Sequence, residues 1–205
     1  MPSTSRPGSV TKRDHIRHAA QQLFVEEGFE RTTTDAIAAA AHISKQTLYR
    51  YYPSKAELLL DILGRLSVNN PWRDPDAVPS VGSRAALEEQ LLSIARGIAC
   101  HTTDPTFLGL ERVLIAEIPH FPHLAQRFHQ TVTEPGFGIV LSLLECARAA
   151  GVVKVDPSPA VARLFLGPLL SYVYLDGLLT AEKDRRVPDP GEVRVLVRLF
   201  LDAVT

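Results

Sequence analysis

TTTDAIAAAAHISKQTLYRYYPSKAE, residues 32–57, is the run on which the fold turns. Thr32, Thr33 and Thr34 stand just ahead of a short run of small side chains, Asp35 to Ala41. A hydroxyl in that place accepts from the unpaired amides of a new helix, and Asp35 suits its positive end. His42-Ile43-Ser44 then predicts a turn carrying a second cap, followed by a helix over residues 45–52. Pro53 ends that helix, and Ser54-Lys55-Ala56-Glu57 is a capping box for another, running through Leu58, Leu59 and Ile62. Two short helices joined by so tight a turn are the mark of a helix-turn-helix.

Upstream, Ile16, Ala19, Ala20, Leu23 and Phe24 form one helical stripe that Gly28 terminates, and residues 1–10 read as an arm. Downstream, residues 66–83 are rich in Pro and Asn and predict a linker. Helical spacing then resumes over 84–100, 106–117 and, from Pro122, 124–129. A kink or break at Pro135-Gly136 precedes a helix over 137–150, and two more cover 160–179 and 190–203. No segment alternates like a strand, so an all-α fold is expected, with an N-terminal head at 11–65 and a larger C-terminal domain at 84–205.

Of 205 residues, 45% are apolar, enough to bury a core without disulfides. The 22 Lys and Arg against 23 Asp and Glu exclude a wholesale basic coat, though not a small basic reading surface. Residues 1–65 carry a net +2 and residues 66–205 a net −3, and the stretch Ser44 to Lys55 holds Lys45, Arg50 and Lys55 with no acid at all. Cys100 and Cys146 make neither a disulfide framework nor a zinc set. The N-terminus lacks the apolar core of a signal peptide, and Val161 to Leu179 is interrupted by Arg163, Gly167, Pro168, Asp176 and Gly177. A soluble, cytoplasmic protein is the expectation. His101, His120, His123 and His129 lack a convincing metal spacing, and no nucleophile elbow, phosphate loop or HExxH is present. No metal, cofactor or catalytic activity is expected.

With Ile37, Ala38 and Leu48 turned to a core and Ile43 plugging the turn, Lys45, Gln46, Thr47, Tyr49, Arg50 and Tyr51 fall on the outer surface. Polar and basic side chains at the front of a helix, followed by hydroxyl-bearing aromatics, suit the DNA major groove. Lys55 would lie near backbone phosphate. Singly, each of these residues reads equally as solvated surface or packing, and the joint pattern carries the inference.

Residues 12–62 resemble the DNA-binding domain of the tetracycline-repressor (TetR) family. The likeness runs through Ala19-Ala20, Leu23-Phe24, Gly28-Phe29, Thr32-Thr33, Ile37-Ala38, Ala41, Ile43-Ser44, Thr47-Leu48-Tyr49, Tyr51-Tyr52-Pro53, Lys55 and Leu58. The resemblance implies operator contacts from Thr33, Lys45, Gln46, Tyr49, Tyr51 and Lys55, a homodimer, and a C-terminal domain that binds a small effector. The chain departs from the family at His42, where a glycine is usual. Glu117, Phe121, Pro122 and Leu124 resemble one C-terminal subclass of the family.

One helix-turn-helix reads only a few base pairs, so a dimer is also a physical need. Leu164, Leu170, Tyr174, Leu178, Val193, Leu196, Val197 and Phe200 are the expected interface, the alternative being that one of these helices is buried within its own subunit. A hydrophobic effector is expected among Arg96, His101, Phe107, Glu111, Leu114, Phe137, Leu141 and Tyr172. Its binding would move the helix over 106–117 against the fourth helix and spoil the spacing of the heads. The expected function is therefore an operator-binding repressor released by a small molecule. An activator of the same fold is the alternative, and a helical ligand carrier or enzyme a remoter one.

Overall fold

A computed structural model describes residues 11–68 and 81–205 of the chain. The arm at 1–10 and most of the expected linker lie outside the described residues. The chain divides into two compact units, one ending at Ile62 and the other beginning at Leu63. No strand occurs among the described residues.

The first unit starts with α1, Lys12–Glu27. Thr11 Oγ1 accepts from the Asp14 amide while the Asp14 carboxylate accepts from the Thr11 amide, a complete capping box. The Thr11 hydroxyl and amide, both donating to it, and the Arg17 guanidinium hold the Asp14 carboxyl well below the usual carboxylate range. Ile16, Ala19, Ala20 and Phe24 form its buried stripe. Gly28 ends it at φ +85°, which favours glycine. Thr32, expected among the caps, is wholly buried and donates its hydroxyl back to the carbonyls of Gly28 and Leu23. Thr33 caps α2, Thr34–Ala40, by accepting from the Ala36 amide.

Ile37 and Ala38 of α2 and Leu48 of α3, Lys45–Tyr51, are buried, and Ser44 caps α3. Between them His42 takes a φ of +55°, the left-handed region that costs a side-chain-bearing residue about 1–2 kcal/mol. Helix α4, Lys55–Val68, runs three residues past the expected end of the head.

The second unit holds α5 (Arg84–Ala99), α6 (Pro105–Glu117), α7 (His123–Phe128), α8 (Glu134–Ala149), α9 (Pro159–Tyr172) and α10 (Pro190–Val204). Pro105, Pro159 and Pro190 open helices behind the caps Asp104, Ser158 and Asp189, a position where the missing N–H is not needed. The core joins Leu87, Leu91 and Ile98 of α5 to Leu143 and Leu144 of α8, Phe165 and Leu169 of α9, and Val197 and Phe200 of α10.

Of the kink and the break left open at Pro135-Gly136, the break does not occur. A π turn, His129–Thr133, stands directly before Pro135 and links α7 to α8. Proline has no N–H to return along the helix, and a widened turn accommodates the lost bond. A second π turn, Val173–Leu178, extends α9. Arg112 closes it by donating to the carbonyls of Gly177 and Leu178. The interruptions seen in the sequence therefore do not break this helix. Pro159–Leu178 is continuous and, by length and composition alone, apolar enough to cross a membrane. Its buried side belongs to the core of the unit.

Candidate nucleic-acid interface and ligand cavity

On the head, the first residue of α3 is tied to the first turn of α2. Lys45 Nζ lies 2.9 Å from an Asp35 carboxylate oxygen, and that bond raises the Lys45 ammonium pKa. Four residues on, the Tyr49 hydroxyl lies 3.3 Å from Thr34 Oγ1. These cross-links fix how α3 is presented while leaving Tyr49 45% exposed. Gln46 and Arg50 are also exposed, and Tyr51 is half-buried with the Arg50 guanidinium 5.5 Å from its ring centre. Thr33 and Thr47 sit at the two caps, where Thr47 Oγ1 is 2.9 Å from Ser44 Oγ.

Behind this surface, Tyr52 is buried and donates its hydroxyl to Asp61, which also receives Arg17 at 2.9 Å. Burial, reinforced by the Asp61 hydrogen bond, pushes the Tyr52 phenol up to about 12. The sequence gives no sign of that network.

Lys55 differs from its expected place at phosphate. Its ammonium donates to the carbonyls of Phe29 (2.6 Å), Thr32 (2.7 Å) and Glu30 (3.4 Å), and lies over the Phe29 ring. It is committed within the head, fastening the turn between α1 and α2.

In the second unit a cavity of about 200 Å³ is lined from several helices and from both π turns. His101, Phe107, Glu111 and Phe137 reach it; Arg96, Leu114, Leu141 and Tyr172 do not. Arg96 is exposed, Leu114 is buried, and Leu141 is packed against the core. The Tyr172 hydroxyl instead donates toward Glu192 at 3.4 Å. Leu170 and Tyr174, expected at a dimer interface, line the cavity, as do Phe128, Val132, Thr133, Leu166 and Val173, which sequence reasoning missed. His101 stacks on Phe107 at 4.1 Å between ring centres. Glu111 is only 8% exposed, its Oε2 has no hydrogen-bond partner among the described residues, and burial pushes its carboxyl up to about 7.

Part of the expected interface set packs inside its own subunit. Leu178, Val193, Val197 and Phe200 are buried in the core of their own subunit, because the apolar stripe of α10 packs inward against α5 and α9. Leu196 is half-buried against the same core. Leu164, 55% exposed, remains on the surface with Leu175 and Leu179, and α10 adds Val195 and Leu199.

Two family models match the chain. "Bacterial regulatory proteins, tetR family" covers residues 16–62, and "AefR-like transcriptional repressor, C-terminal domain" covers residues 89–203. An uncharacterized HTH-type transcriptional regulator of Mycobacterium tuberculosis is 56% identical over 39 residues, so that the chain spans only 19% of its length. A candidate regulator of mycofactocin biosynthesis from the same organism, MftR, is 46% identical over 181 residues, covering 83% of each chain. Among solved structures, the flavonoid-responsive regulator FrrA is 32% identical, with a TM-score of 0.70 over 95% of this chain and 97% of its own.

Proposed function

The chain belongs to the tetR family of bacterial regulatory proteins, and from that premise we propose that it is a homodimeric repressor whose operator affinity is switched by a small molecule. The head reads the major groove through Gln46, Thr47, Tyr49, Arg50 and Tyr51, with Lys45 and Thr33 at backbone phosphate. The single observation that best supports this reading is the exposed side of α3, pinned to α2 at Asp35–Lys45 and Thr34–Tyr49. A surface held in advance loses little entropy on docking. Lys55 acts on DNA only indirectly, through the turn that presents Thr33.

Two heads about 34 to 36 Å apart would meet successive major-groove faces of one duplex. The surface leucines of α9 and α10 are the natural contact between subunits. The effector occupies the cavity beside Glu111, and the role is regulatory rather than catalytic, exercised in the cytoplasm. A coupling of only about 1–3 kcal/mol would alter operator affinity roughly 5- to 150-fold.

The test begins with genomic DNA fragments selected by the purified protein. Tyr49→Phe is expected to weaken binding to the selected operator about tenfold at unchanged stability. Lys55→Met is expected to weaken binding and to lower unfolding free energy by about 1–3 kcal/mol together. Selection of no fragment, or a Tyr49→Phe protein binding as wild type, would refute the assignment of this face. Mapping the operator against the promoter separates a repressor from an activator.

A further inference from the structure

The walls of the cavity are dominated by Phe107, Phe128, Phe137, Leu166 and Val173. Against that background stands one carboxyl group. Glu111 is more than nine-tenths buried, and its Oε2 meets no donor among the described residues. A buried acceptor left in this state is costly to the free protein, and a ligand able to donate to it recovers the loss.

The surroundings say what kind of donor. Among the described residues, no Lys or Arg lines the cavity. The neighbouring guanidinium on α6, Arg112, is committed to the carbonyls of Gly177 and Leu178. Arg163 stacks over Phe137 at 5.3 Å and is itself exposed, outside the lining. The titratable groups that share the cavity with Glu111 are His101, stacked on Phe107, and the Tyr174 phenol, whose pKa is raised by burial and by the Glu111 charge. An anionic ligand would therefore meet a carboxyl group with no fixed cation to offset it. A protonated amine would instead meet an ionisable acceptor and the negative faces of aromatic rings.

We infer that Glu111 is the specificity-determining residue of this cavity and selects a lipophilic amine, whose ammonium donates to Oε2 while its apolar body lies against Phe107 and Phe137. The inference rests on the cavity being the effector site. On binding, the carboxyl releases its proton to solvent and the ion pair forms out of water. A body of one or two fused rings matches the volume of about 200 Å³.

Three probes of one shape test this with the full-length protein: 2-naphthylmethylamine, 2-naphthylmethanol and naphthalene-2-carboxylate, each titrated by calorimetry at neutral pH. The amine is expected to bind at least about tenfold more tightly than the alcohol, with the carboxylate weakest. Glu111→Gln is expected to lower the amine's affinity to that of the alcohol, and unchanged helicity by circular dichroism shows that the variant is folded. Alcohol binding with no amine preference, or a preference that survives Glu111→Gln, overturns the inference and leaves the cavity as the effector site. Failure of all three probes to bind at millimolar concentration overturns the effector site itself.

Discussion

Glu111 keeps its proton at a pH where an exposed glutamate has lost it, and the stability of the fold must register the difference. Burial pushes its carboxyl up from 4.5 to about 7. Below pH 4.5 the group is protonated in both folded and unfolded chains and contributes nothing to the slope. Between 4.5 and 7 the unfolded chain releases the proton first, so stability falls as pH rises and levels off above 7. The loss across that window amounts to about 3 kcal/mol. Urea unfolding at fixed protein concentration is expected to show it in the wild type and not in Glu111→Gln, whose gain appears at pH 8 and vanishes at pH 4. Parallel pH profiles for the two proteins would mean that water reaches the carboxyl. The unpaired burial of Glu111 could not be read from sequence, since a glutamate on an amphipathic helix ordinarily faces solvent. Its position on a helix beside Phe107 was legible, and so was the exposed set on α3, because turn, caps and reading face are all local.

At the scale of elements, local signals again decided what was legible. The cap Ser44 and the terminator Gly28 mark helix ends through interactions within a few residues. The π turns were not legible. Pro135 announces an interruption without saying how the chain resolves it, and each widened turn shifts the face presented by later residues. Val132, Thr133 and Tyr174, which line the cavity, lie within these turns. The first π turn also approaches α4: a Cβ built at Gly64 would stand 3.1 Å from the Thr131 methyl. Both residues belong to the second unit, and the bare Gly64 permits this close approach. Gly64→Ala is expected to be more favourable in a Thr131→Ser background than in the wild type, by about 0.5–1 kcal/mol. A double-mutant cycle in denaturant measures the term, and strict additivity would show that the two residues do not touch.

For the whole molecule, the apolar stripe of α10 taught a limited lesson. The spacing of Val193, Val197 and Phe200 identifies a buried face but not what buries it, since a subunit core and a dimer seam share that periodicity. Among the described residues, the exposed side chains open to the proposed second copy include Leu164, Leu175, Leu179, Val195 and Leu199. Leu164→Glu combined with Leu199→Glu is expected to give a folded monomer by sedimentation, with wild-type helicity. Operator affinity should fall by about 10²-fold or more once the two half-sites are read independently. A double variant that remains dimeric places the seam elsewhere.

The same uncovered leucines carry a consequence for how such a regulator behaves at low copy number. For the proposed dimer, mass action then governs integrity: dilution would drive chains apart, expose hydrocarbon to water and lower the melting temperature, whereas accumulation would protect them. Repression would thus rise more steeply than in proportion to the number of chains made, a nonlinearity obtained from assembly alone, before any effector arrives.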